Sequence, residues 1–165
     1  MEKKRWLFLA PAFALVSILF FGLGVFLARP GDEESVSNEI VASHVRATLA
    51  NRLVDVVSSD QHTVKPWLSS RLPFSPTVVD LSGDGFSLRG ARLDYIGSQP
   101  VAALVYQRRQ HVIDVFVWPS SREAQKTAYA RDGYNVQHFA RGGMRYWVIS
   151  DLNKNELDDF ARLLK

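Results

Sequence analysis

Residues Trp6 to Ala28, WLFLAPAFALVSILFFGLGVFLA, form an uncharged and strongly apolar run. As a helix rising about 1.5 Å per residue, this run is long enough to cross a ~30 Å hydrocarbon core with some tilt. Lys3, Lys4 and Arg5 precede it, and Arg29 is followed by Asp32, Glu33 and Glu34. The positive-inside rule therefore puts residues 1–5 in the cytoplasm as a short stub and everything after Pro30 on the far side. The competing reading is a cleaved signal peptide, whose apolar core is usually about 7–15 residues and ends at a small-x-small site. Here the core is longer and Phe26 occupies the −3 position of its natural end, so an uncleaved anchor over 6–28 is preferred. Residues 29–34 read as a linker, and 35–165 as one domain in the periplasm.

A net charge of +3 on 165 residues is partly due to the basic flank, and the outer segment is close to balanced. That balance argues against a nucleic-acid partner. The chain has no cysteine. Disulfides, a thiol nucleophile and Cys-based zinc sites are thereby excluded.

Beyond the anchor, Pro30-Gly31-Asp32 breaks the first helix and Ser35 or Ser37 can cap a second. Its apolar stripe runs through Val36, Ile40, Val41, Val45, Leu49, Leu53, Val56 and Val57. Asp60–Trp67 reads as a polar turn, and Leu72-Pro73-Phe74-Ser75-Pro76 as an extended link. Alternation then predicts strands over 86–95, 101–106, 111–118, 134–139 and 144–150. A charged tip lies at Arg108-Arg109, a glycine hairpin signal at Gly142-Gly143, and a loop or short irregular helix over 120–132. Ser150 or Asp151 caps a last helix carrying Leu152, Leu157, Phe160, Leu163 and Leu164 on one face. The fold class is α+β, with about five antiparallel strands in meander and flanking helices on one face of the sheet.

Candidate chemistry is sparse. No nucleophile elbow, S-x-x-K or glycine-rich phosphate loop is present, and no cofactor is expected. None of the four histidines forms an H-x-x-x-H or H-x-H pair. A metal site from Asp60, His62 and His111 requires the Asp60–Trp67 turn to dock on the sheet edge. The favoured reading is that Asp60 and His62 make turn and cap hydrogen bonds and that His111 sits in the sheet. Lys65 and Trp67 can form a ligand-binding lip, but a Trp in such a linker more often plugs the core. Arg108 and Arg109 can meet anionic headgroups or an acidic partner, although a solvated hairpin tip is the simpler account.

Several separated blocks occur together: Ser59–Trp67, Gly90–Asp94, Ala102–Tyr106, Arg109–Trp118, Gly133–Asn135, Gly142–Trp147 and Ser150–Asn153. In this order they resemble the periplasmic half of proteobacterial single-pass anti-sigma factors, the transmembrane regulators paired with extracytoplasmic-function sigma factors. The resemblance runs from about Trp6 to Lys165. It implies a non-enzymatic inner-membrane protein that receives an envelope signal, with a regulatory protease or envelope protein as partner. Family members usually carry a sigma-binding helical domain before the membrane helix, often zinc-binding through a His-x3-Cys-x2-Cys motif. Met1–Arg5 offers none of this, so a sigma factor is expected as partner only if a cytoplasmic domain is missing from this chain. The alternative expectation is a tethered periplasmic module for a small ligand or metal.

Overall fold

The central strands are apolar on both of their faces, and this dictates the architecture. Val101–Tyr106, Ile113–Trp118 and Arg145–Ser150 are buried residue after residue, a pattern that arises when a sheet is covered on each side. A computed structural model describes residues 32–121 and 126–164 of the chain. The stub 1–5, the expected anchor 6–28 and linker residues 29–31 lie outside the described residues. Among the described residues no helix is long and apolar enough to cross a membrane. Two compact units divide the chain, 1–35 and 36–165, and the whole sheet belongs to the second.

In chain order the elements are α1 (Asp32–Leu49), β1 (Val56–Val57), α2 (Gln61–Ser69), a 3-10 turn (Ser82–Asp84), β2 (Ser87–Ile96), β3 (Gln99–Arg108), β4 (His111–Pro119), β5 (Thr127–Arg131), β6 (Tyr134–Arg141), β7 (Met144–Ser150) and α3 (Lys154–Leu163). The strands form one antiparallel sheet of order β1-β2-β3-β4-β7-β6-β5. It consists of two meanders, β1–β4 and β5–β7, joined where β4 pairs with β7. The five expected strands are present, and β1 and β5 raise the number to seven. β5 falls within the segment expected to be a loop or irregular helix. Its pattern is weak because a five-residue edge strand shields little apolar surface.

The helices cover both faces, not one. Ile40 and Val41 of α1 pack with Ile96, Val101, Phe116, Trp118, Val136, Trp147 and Ile149. On the other face Val64 and Leu68 of α2 and Leu157, Phe160 and Ala161 of α3 pack with Leu88, Leu104, Tyr106, Ile113, Val115 and Val148. A sheet whose middle strands are apolar on both sides leaves several core residues wet unless it has two lids. Each such side chain is worth about 1.5–3 kcal/mol of burial.

Local chemistry sets the helix ends, and several differ from the sequence expectation. The second helix stops at Leu49 instead of running to Val57. Asn51 takes a left-handed φ of 50°, Arg52 N donates to Ala47 O at 3.0 Å and Asn51 N donates to Thr48 O at 3.2 Å, the pattern of a Schellman stop. At its other end Asp32–Glu34, expected as linker, are already helical. Ser37 is buried inside α1 and accepts the Tyr129 hydroxyl at 2.6 Å, so it caps nothing. The Asp60–Trp67 turn is a true helix, α2, capped by the Asp60 carboxylate on His62 N at 2.8 Å. Asn153, not Ser150 or Asp151, caps α3. Its side-chain oxygen accepts Glu156 N at 3.0 Å, and its side-chain amide donates to the Glu156 carboxylate.

The two edges of the sheet are treated differently. Beside β2 the chain passes so close at β1 that a Cβ on Gly90 would lie 1.9 Å from Val56 O. Past that point Leu93 N donates to the Asp55 carboxylate at 3.0 Å and Tyr95 N to the Asp94 carboxylate at 2.8 Å. Side-chain oxygens thus occupy donors that an open edge would offer to another strand.

Candidate functional site

A charged residue in an apolar strand needs a partner, because an unpaired buried charge is costly. Asp114, in the middle of β4, is fully buried. Arg92 on β2 gives it two hydrogen bonds, Nη1 to Oδ1 at 3.1 Å and Nη2 to Oδ2 at 2.8 Å. From α1, His44 Nδ1 lies 2.9 Å from Asp114 Oδ2. The remaining Arg92 donors reach Asp94 at 3.3 Å and Leu53 O at 3.1 Å. Ser43, next to His44, donates to the same Asp94 carboxylate. Arg92 also lies over the Phe116 ring, 5.3 Å from its centre, and Tyr134 meets His44 edge-on at 5.0 Å.

The electrostatics follow from this wiring. Burial by itself pushes the Asp114 carboxyl up, but the His44 hydrogen bond and the adjacent Arg92 charge outweigh it, and the group sits below the ordinary carboxylate range. Burial likewise loosens the Arg92 proton, and the Asp114 and Asp94 carboxylates more than restore it. The result is a polar staple between α1 and the sheet. One end opens to solvent: Ser43, Arg92 and Asp94 line a cleft of ≈ 390 Å³ together with Arg46, Arg52 and Asp55.

Ser, His and Asp meet here without forming a nucleophilic triad. The Ser43 hydroxyl is directed to Asp94, and among the described residues no hydrogen bond joins it to the His44 ring. His44 is 2 % exposed. A general base has to reach the proton it removes, and an imidazole sealed this far from solvent is placed for holding two elements together.

The residues singled out from the sequence are used elsewhere. Asp60 caps α2 and His62 is exposed. His111 pairs with Asp151 at 3.0 Å. Among the described residues no group of three or more His, Asp or Glu side chains is gathered to hold a metal. Trp67 is half-buried against the core of the α2–α3 face, with Arg71 stacked 4.4 Å from its ring centre, and Lys65 is exposed. Arg108 and Arg109 are not a freely solvated tip. Arg108 Nε donates to Glu156 Oε1 at 2.7 Å and Arg109 Nη2 to Glu156 Oε2 at 2.6 Å, while Arg108 also covers Phe86 at 4.5 Å. These contacts tie the β3–β4 turn to the first turn of α3. They also hold Glu156 below its usual range, chiefly through the Arg108 hydrogen bond.

Sequence reasoning passed over Ser43, His44, Arg92, Asp94 and Asp114. The available signal was the lone acid in His111-Val-Ile-Asp114-Val-Phe-Val-Trp118, which calls for a buried cation on a neighbouring element. No protein-family model matches the chain, and no curated protein matches it in sequence.

Proposed function

We propose that this chain is a membrane-anchored, non-enzymatic regulatory protein of the anti-sigma-factor type, whose domain 36–165 receives a signal on the periplasmic side of the inner membrane. The observation that carries this reading is the staple on α1. The helix that follows the apolar run is held to the sheet through Ser43 and His44, and the network that holds it opens into a solvent cleft. A ligand, partner or protease that competes for Arg92 or Asp94 alters how α1 is seated. A conformational signal of this kind needs a bistable contact biased by differential binding.

Topology and regulation are tested together. Alkaline phosphatase fused after Lys165 is expected to be active and β-galactosidase at the same point inactive. Replacing the chromosomal copy with Arg92→Ala is expected to shift the transcription of one sigma-factor regulon. An inactive phosphatase fusion, or an unchanged transcript profile in both the variant and a deletion, overturns the reading.

A tethered small-ligand module is the second reading, and the cleft of Arg46, Arg52, Asp55 and Asp94 favours it over a site built on Asp60, His62 and His111. Thermal shift against metals and small anionic or zwitterionic metabolites tests it. A shift abolished by Arg46→Ala supports this reading, and no shift with any compound removes it.

A further inference from the structure

The far edge of the sheet is open where the near edge is closed. β5 pairs with β6 alone, through a two-residue turn at Asp132-Gly133 whose φ values are 51° and 86°. In such a hairpin Arg131 and Tyr134 exchange both hydrogen bonds, so Tyr129 and Thr127 also point their backbone groups inward to β6. The N–H and C=O of Ala128 and Ala130 consequently point outward. Among the described residues nothing pairs with them, whereas on β2 the donors of Leu93 and Tyr95 are occupied by Asp55 and Asp94. Both alanines are exposed and small enough to admit a neighbouring strand.

The ends of β5 carry opposite charges. Lys126 and Asp132 flank the strand and both are exposed; the Lys126 charge also acts on the Asp158 carboxylate. An antiparallel pairing of two copies about Tyr129 sets Ala128 opposite the partner's Ala130, Lys126 opposite the partner's Asp132, and Asp132 opposite the partner's Lys126. Opposite charges facing each other across strands are favourable. Sliding the copies by two residues either way, the smallest slips that keep outward groups facing each other, sets a charge opposite an alanine.

From this self-complementarity we infer that β5 is an isologous docking edge for a second copy of this chain, joining two sheets into one. The closed contact uses the same patch on both copies, as two-fold pairing requires. It is independent of the anti-sigma-factor reading, since it rests on the edge alone.

Disulfide trapping tests it directly, because the natural chain contains no cysteine. Two differently tagged full-length copies, one Ala128→Cys and one Ala130→Cys, are co-expressed and oxidised in intact cells. A directly opposed pair has Cα atoms about 5.5 Å apart, within disulfide range, and diagonal pairs do not. The mixed dimer is therefore expected to exceed either like dimer about tenfold. Lys126→Asp is expected to lower its yield about tenfold through the two lost cross-strand pairs, and adding Asp132→Lys to the same chain restores it. The purified cysteine-free chain in detergent is expected to show a concentration-dependent dimer by sedimentation, weakened by Lys126→Asp. A monomer at all concentrations, trapping of some other protein in place of the dimer, or a dimer indifferent to the charge exchange overturns the inference.

Discussion

His44 Nδ1 on α1 stands 2.9 Å from the Asp114 carboxylate in the centre of β4, and both side chains are sealed from solvent. The contact crosses two elements 70 positions apart in the chain. With Arg92 on the carboxylate's other side, it decides how firmly α1 is held.

Removing the two partners should have unequal effects. Asp114→Ala leaves Arg92 buried without its main counter-charge, and is expected to cost about 3–5 kcal/mol. His44→Ala leaves the Arg92–Asp114 pair intact, and is expected to cost about 1–3 kcal/mol. Urea unfolding of the two variants measures the order, and an equal or reversed pair of costs contradicts this arrangement.

Acid should weaken the domain through the same carboxylate. Asp114 is held below the usual range in the folded state, so its contribution is present above the unfolded value of about 3.9 and disappears as pH falls through the folded value. Wild type is expected to lose stability more steeply than Asp114→Asn below about pH 4, with both flat in this respect near neutrality. Glu156 and Asp158, also held low by Arg108 and Lys154 respectively, act equally in both proteins and drop out of the comparison. Urea midpoints collected against pH give the two slopes.

Two glycines separate steric from conformational cost. At Gly90 a methyl group would strike Val56 O and φ is 142°, so Gly90→Ala is expected to detach β1 and to cost more than about 2 kcal/mol. At Gly133 nothing lies within 4 Å but φ is 86°, and Gly133→Ala is expected to cost about 1 kcal/mol. Thermal melts rank the two, and hydrogen exchange at Asp55 and Ser58, whose amides bond to Ala91 O and Arg89 O, reports the loss of β1 specifically.

Capping of α3 offers a smaller, local test. Asn153→Ala removes the acceptor on Glu156 N and is expected to cost about 1 kcal/mol. Because Glu156 also receives Arg108 and Arg109, the β3–β4 turn should show faster amide exchange in this variant, while the Asp132-Gly133 turn should not.

Much of this domain could be read from the chain alone. Alternation located β2 and β6, short apolar runs bounded by turn residues located β3, β4 and β7, Pro119 closed β4, and Gly142-Gly143 marked the last hairpin, because each signal is local and acts through its own φ/ψ preference or face. The same local logic assigned Asp60 to a cap and Trp67 to a plug. It did not reveal that α1 and the α2–α3 pair cover opposite faces. A run such as Val101–Tyr106 records that both faces are dry, not which helix dries them. Nor could spacing bring together Ser43, His44, Arg92, Asp94 and Asp114, drawn from one helix and two strands. Their meeting is set by strand register and by where α1 stops at Asn51. Sequence by itself determined five of the seven strands, the Arg108-Arg109 and Gly142-Gly143 turns and the burial those strands demand, because those follow from neighbours along the chain. Only the tertiary structure decided the layering, the buried charge network and the open β5 edge, because each depends on which distant residues come to share a face.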